Sequence, residues 1–396
     1  NTRWVTEIAI INVTSKQLFG TLTAYDAQGT EVSQKNLTLS GNGRWANMIS
    51  SEFSSPQDIK YIKFSADSSS VCGYTKFYIE GECRAALPAV QEINGGEVHV
   101  PHIASNHNWW TGIALINTTT VEKTLSIDFN TGETKQITLS SGEHRAFTIR
   151  NLFGGSYQVN IESAEIPDAE GIIGLELFGF DEQLSGVLLT DDTSNNLFFP
   201  HTASDQRWWT GIAAYNSSNE AASLTVTPYS DSGSALTTDN KAMWPNGKYI
   251  GTVSNLFSAA DTAWVKVEST QLLNGFELFG TNDGKSLAGY SAVNIEKTEG
   301  IFTKIEDNGW TGIAFVNTEP QTGNITLTVF DNAGSQITQE SISLAGHEKI
   351  SKVPEDIFTD DISSGTYIKF SSDQEIVGFQ LNGSSDWMML DGLPGM

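Results

Sequence analysis

One short motif constrains this chain more than any other feature. Trp109-Trp110-Thr111-Gly112-Ile113-Ala114 recurs as Trp208-Trp209-Thr210-Gly211-Ile212-Ala213 and as Trp310-Thr311-Gly312-Ile313-Ala314. A worn copy, Trp4-Val5-Thr6-Glu7-Ile8-Ala9, stands near the start. Each copy leads to an Asn: Asn12, Asn117, Asn216 and Asn317. The spacing is about 100 residues, an ordinary single-domain size, so the chain reads as four tandem units. Self-similarity at a fixed period is the signature of a repeat architecture. The boundaries fall at 1–96, 97–195, 196–298 and 299–396.

Other landmarks keep the same order in every unit. A strand-like run follows the Asn and ends in a turn at Gly29, Gly132, Gly233 or Gly334. A second polar tip lies near Gly43, Gly142, Gly247 and Gly346, and an aromatic anchor at Phe53, Phe153, Phe257 and Phe358. Alternating segments come next: Tyr61-Ile62-Lys63-Phe64, Gln158-Val159-Asn160-Ile161, Trp264-Val265-Lys266-Val267 and Tyr367-Ile368-Lys369-Phe370. A fixed glycine follows in each unit, at Gly73, Gly174, Gly275 and Gly378. Apolar residues at every second position describe half-buried strands. Short strands punctuated by turns predict an all-β fold: four Ig-like β-sandwich repeats. The rival is a β-propeller with two four-stranded blades per unit. No internal repeat of 40–50 residues supports that rival.

Val98-His99-Val100-Pro101-His102, Phe198-Phe199-Pro200-His201 and Ile301-Phe302-Thr303-Lys304 each look like the opening strand of the unit that follows. The first unit shows no counterpart, since Asn1 stands just ahead of Trp4. Its sheet edge is then either trimmed, covered by a loop, or filled by a strand from another chain.

The proline-His pair followed by WWTGIA and Asn resembles a tandem β-sandwich repeat of bacterial secreted and surface proteins, a family whose members are functionally uncharacterised. The resemblance spans all four units. It implies an extracellular or cell-surface location and says almost nothing about activity. The first unit departs most, with Val5 and Glu7 in place of the second Trp and the Gly, and the fourth has Gly309 in place of the first Trp.

Composition narrows the partners. With 22 Lys+Arg against 47 Asp+Glu, the net charge is −25, which disfavours nucleic acid and anionic membranes. No apolar run reaches the roughly 20 residues needed to span a bilayer. Cys72 and Cys83 lie on two successive strands, so they read either as a cross-strand disulfide or as buried thiols.

Trp109, Trp110, Trp208 and Trp209 are the strongest candidates for contact with a glycan or a partner. Neighbours on a strand point to opposite faces. One reading therefore has each pair plug the sandwich end and pack on the next unit, and the other has exposed indoles stacking on sugar rings. His99, His102, His107 and His201 lack the ligand set of a zinc site. Acidic loop residues leave structural calcium between units as the one cofactor considered, with no EF-hand spacing. Glu176 and Glu277 occupy equivalent strand positions and read as solvent-facing residues rather than a glycosidase pair. Six sequons occur, at Asn12, Asn36, Asn117, Asn216, Asn324 and Asn382; strand-end turn chemistry explains the motif-ending Asn12, Asn117 and Asn216 without glycans, and if the source glycosylates, these are predicted surface positions. No hydrolase, P-loop or dinucleotide motif occurs. The expectation is a non-enzymatic, extracellular structural or adhesive array, sharpest as a filament or surface-layer subunit that self-associates by strand addition. The alternative is a carbohydrate-binding array.

Overall fold

The computed structural model describes residues 3–396 except 92, 94, 259 and 260. Nearly every regular element is a strand, and the sheets are antiparallel. The chain divides into two compact units. The first comprises 1–80 and 86–192, and the second 81–85 and 193–396.

The fourth repeat shows the plan most completely. One sheet holds Gln336–Leu344, Gly323–Phe330, the first half of Tyr367–Ser384, and Lys297–Phe302. The other holds Lys349–Lys352, Gly309–Asn317, the second half of Tyr367–Ser384, and Leu390–Pro394. A single 18-residue strand therefore crosses from one sheet to the other. Ile325, Leu327 and Ile368 of the first sheet share one core with Ile313 and Phe315 of the second. Two sheets closing on a common core make a sandwich, not two propeller blades. The third repeat is built the same way around its own 18-residue strand, Trp264–Thr281.

In the second repeat the crossing strand is split into Ala164–Ile166 and Ile172–Phe180. Ala164–Ile166 pairs with both Lys123–Phe129 and Val98–Val100. The alternating run Gln158-Val159-Asn160-Ile161 is not a strand, contrary to the sequence reading, and Val159 is exposed. Gly154 and Gly155 adopt φ of 65° and 92°, the left-handed region that glycine enters freely. They loop the chain outward before the strand begins.

In the first repeat the four-stranded sheet is present as Arg44–Met48, Val5–Asn12, Val71–Ile79 and Cys83–Pro88. Its partner sheet has only three strands: Glu31–Leu39, Leu18–Tyr25 and Tyr61–Ala66. Among the described residues, nothing occupies the position that Lys297–Phe302 fills in the fourth repeat.

The motif residues are consumed by this architecture. The motif Asn is fully buried in all four repeats. Asn117 donates through Nδ2 to the carbonyls of Val121 (2.7 Å) and Leu139 (3.0 Å), and its Oδ1 accepts from the amide of Thr119 (3.0 Å). Asn12, Asn216 and Asn317 tie the same two hairpin ends and accept from the amide two residues on in their own repeats. A buried carbonyl needs a donor, and this side chain supplies two hairpin ends at once. The sequon hydroxyl at Thr14 or Thr119 bonds the same Asn Oδ1, as part of a local turn. Asn12, Asn117, Asn216 and Asn382 are therefore interior residues, and the predicted surface exposure holds only for Asn36 and Asn324.

The second Trp of the motif explains three glycines. A Cβ at Gly280 would lie 2.2 Å from the indole of Trp209, and one at Gly383 would lie 2.3 Å from that of Trp310. At Gly179 it would lie 3.1 Å from Trp110. The indole also reaches over the motif Gly two residues on, at Gly112, Gly211 and Gly312. In the first repeat Val5 replaces the Trp, and both glycines are gone, replaced by Glu7 and Tyr78. The fixed glycines serve a different contact: a Cβ at Gly73, Gly174 or Gly275 would press on the carbonyl of Ala9, Ala114 or Ala213 at 2.1–2.7 Å.

Within each unit the two repeats meet in the same way. In the first, the Tyr61 hydroxyl donates to the Gly142 carbonyl (3.0 Å), and the His144 amide to that of Ala27 (2.9 Å). In the second, Trp264 Nε1 donates to the His347 carbonyl (3.1 Å), and the Lys349 amide to that of Asp231 (2.9 Å). Tyr61 stacks on Tyr25, and Trp264 on Tyr229. The aromatic residue that opens the alternating strand is thus the joint between repeats.

Candidate functional site

The loop just before the motif, together with its facing turn, lines a groove in the second repeat, and its counterpart in the third repeat lines another with residues of the fourth. In the second repeat the groove encloses about 340 Å³ and is lined by Asn106, His107, Asn108, Trp110, Arg150, Tyr157 and their neighbours. One wall is an Asx turn: Asn106 Oδ1 accepts from the amides of Asn108 and Trp109, both at 2.8 Å. The other wall follows the single helical turn Ile149–Leu152, capped by Thr148 Oγ1 accepting from the Asn151 amide. The Gly154-Gly155 bend carries Tyr157 across, and the Gln158 amide donates to the Ser105 carbonyl (2.9 Å), tying the walls together. Tyr157 packs 4.4 Å from His107, with the Arg150 guanidinium 4.4 Å over its ring. Trp110 and Tyr157 are both 37% exposed.

The corresponding region of the third repeat is different. Its groove, also about 340 Å³, is lined by Gln206, Arg207, Asn282, Asp283, Lys285, Asp386 and Trp387. Arg207 stacks 4.0 Å over Trp387, which adopts φ of 64°. Trp387 in turn packs on Trp310 (4.6 Å) and Trp208 (6.4 Å). A bulky residue in the left-handed region is strained, and here aromatic packing holds it.

The four sequence-selected tryptophans therefore divide. Trp208 packs edge-on to Trp310 of the fourth repeat, and Trp109 packs on Phe180. Trp209 lies on its glycine bed, half-buried. Trp110 and, half-buried beside it, Trp109 join packing with a groove face. Sequence reading missed Arg150 and Tyr157, whose positions do not recur across the repeats. It also missed Trp244, 81% exposed, where the other polar tips begin with Ser or Ala; the break in the pattern was the available signal.

Several other expectations are corrected. Cys72 and Cys83 are thiols, with no disulfide between them. They do lie on adjacent strands of one hairpin, but the Ala89 amide donates to the Gly73 carbonyl. Cys72 therefore faces the far end of Cys83–Pro88, about 20 Å along the strand from Cys83 at roughly 3.3 Å per residue.

Glu176 and Glu277 are fully buried rather than solvent-facing. Glu277 is paired across strands with Ile212 and Tyr290, and it accepts from the Tyr290 hydroxyl. Burial pushes its carboxyl well above the usual carboxylate range, against the opposing pull of the Tyr290 hydroxyl and Lys349. His201 is enclosed between Phe279 and Phe379, and burial drives its pKa well down, leaving a neutral ring. His99 is lowered by burial to about 4, so its 3.3 Å contact with Glu97 is not an ion pair at neutral pH.

The second unit also buries a charge cluster. Arg84 reaches Glu306 (3.0 Å) and Asp391, and Lys304 reaches Glu306 (2.5 Å) and Asp391 (3.2 Å). Two cations balance two carboxylates, and Asn382 donates to Asp391 (2.9 Å). Among the described residues, no three His, Cys, Asp or Glu side chains gather as metal ligands, and no helix is long and apolar enough to cross a membrane.

No protein-family model matches the chain, and no curated protein does either. Among solved structures it is similar to one described as "The Triple Jelly Roll Fold and Turret Assembly in an Archaeal Virus", at 11% identity over 78% of this chain and 87% of that one, with a TM-score of 0.17. So loose a superposition carries no argument.

Proposed function

We propose that the chain is an extracellular structural or adhesive protein whose sandwiches assemble into a filament or layer by strand addition. The observation that carries this reading is the three-stranded sheet of the first repeat. Its core-side residues Ile62 and Phe64 are only half-buried. The equivalent Ile368 and Phe370 are 0% and 4% exposed, under Lys297–Phe302. An uncovered strand edge over apolar side chains accepts an extended segment in antiparallel register.

The motif supports the same reading from another side. Its Thr, Gly and Asn, and one face of its Trp, serve packing and hairpin closure, so what recurs is architecture rather than a polar constellation for chemistry. The extracellular setting rests on the resemblance of the motif to secreted and surface repeats.

The test is negative-stain microscopy of the purified chain across a concentration series, beside a Phe64→Lys variant. An inward-pointing charge at an edge blocks pairing. Filaments or a lattice that the variant abolishes are expected. Lone particles at every concentration, or assemblies the variant leaves intact, contradict the proposal.

A further inference from the structure

We infer that the groove of the second repeat is a binding site for an acidic saccharide. This goes beyond the structural reading and does not depend on the open sheet edge. The first argument is charge. The chain carries 47 Asp+Glu, yet the residues lining this groove include no carboxylate, and they include Arg150 and His107. In so acidic a molecule a carboxylate-free groove around a guanidinium selects an anion.

The second argument is shape and chemistry. Two aromatic side chains are exposed here, with Trp109 half-buried beside them: Trp110, seated on Gly112 and Gly179, and Tyr157, held by His107 and Arg150. Aromatic planes take the C–H face of a pyranose ring, and polar groups around them take its hydroxyls. The side-chain amides of Asn108 and Asn151 make no hydrogen bond among the described residues, and neither belongs to the fold's ladders. Arg150 spends Nε on the Gly155 carbonyl (2.7 Å). Its terminal nitrogens remain for the paired oxygens of a carboxylate or sulfate.

The third argument is that the site is built rather than inherited from the repeat. Arg150 stands where the first and third repeats have Ser50 and Ser254, and the Gly154-Gly155 bend that delivers Tyr157 occurs in this repeat alone. The groove lined by Arg207 and Trp387 is the internal contrast: Asp283 and Asp386 offset Arg207 and Lys285 in its lining, so its cations are already matched. One Arg is too little for a nucleic-acid backbone. A lining of amides and hydroxyls lacks the deep apolar pocket that anchors a peptide side chain.

The experiment is calorimetric titration of the full chain with three probes: tri-galacturonate, a heparin-derived tetrasaccharide, and neutral maltotriose. The variants are Arg150→Gln and Tyr157→Ala, with Arg207→Gln as control. All three side chains lie at groove surfaces, and near-UV circular dichroism checks that each variant folds. Binding of at least one acidic probe is expected, weaker as salt rises. It should be lost by about tenfold to a hundredfold in Arg150→Gln, reduced in Tyr157→Ala and unchanged in Arg207→Gln. Which acidic probe binds distinguishes a carboxylated ligand from a sulfated one. The proposal is overturned if neither acidic probe binds the folded wild-type chain, if maltotriose binds as well as they do, or if Arg150→Gln and Tyr157→Ala bind like wild type. None of these outcomes depends on whether the chain forms filaments.

Discussion

The first and fourth repeats carry nearly the same strand, Tyr61-Ile62-Lys63-Phe64 and Tyr367-Ile368-Lys369-Phe370, in different company. In the fourth, Lys297–Phe302 lies alongside, and Phe302 packs 5.5 Å from the ring of Phe370. In the first, no strand lies there among the described residues, and Ile62 and Phe64 stay half-exposed. Identical local sequence therefore lies in a four-stranded sheet in one place and, among the described residues, a three-stranded one in the other. What a strand buries is decided by its neighbour, not by its own alternation.

That comparison can be broken most forcefully at Phe302. Truncation to Ala should cost about 3–5 kcal/mol in chemical denaturation, because it strips the cover from the fourth sheet. A cost below about 1 kcal/mol would mean the covering strand contributes little to closure. The paired truncations sharpen the contrast. Ile368→Ala should cost about 2–5 kcal/mol and Ile62→Ala less than about half of that; equal costs would show that the first sheet is covered in solution. Gly383→Ala, which drives a Cβ into the Trp310 indole, should cost about 1–3 kcal/mol by overpacking. Near-UV circular dichroism should report the displaced indole.

The smallest effect is in the pH profile, at a position where the fourth repeat already has Gln380. Because burial raises the Glu277 pKa in the folded state, the folded chain holds a proton there that the unfolded chain releases. The stability tied to it is full below the ordinary Glu range and is lost as pH rises toward the folded pKa. Glu277→Gln should flatten that decline in pH-dependent melting. A steeper decline in the variant would reverse the assignment.

Much of this was legible in the sequence. The period of about 100 residues and the sandwich follow from motifs that recur because packing demands them. The failures share one cause: sequence shows spacing, not register or enclosure. Gln158-Val159-Asn160-Ile161 alternates like a strand, but the glycine bend ahead of it places Ala164–Ile166 in the sheet instead. Cys72 and Cys83 lie on adjacent strands, yet hairpin register sets them at opposite ends. Glu176 and Glu277 look solvent-facing until the cover over that face is known. The sequons at Asn12, Asn117 and Asn216 are the turn chemistry that their place at the motif's end suggests, but their full burial is not visible from spacing. Arg150, Tyr157 and Trp387 carry no repeat signal, so only the folded chain brings their groove walls together.

Strand addition at the open edge is tested most directly by amide hydrogen exchange over Tyr61–Ala66 as protein concentration is raised. The account predicts that the edge-facing amides exchange freely in dilute solution and gain protection in step with assembly, while the strand Tyr367–Ser384 stays protected throughout. Assembly with those amides still exchanging freely, or full protection in the dilute monomer, would contradict it.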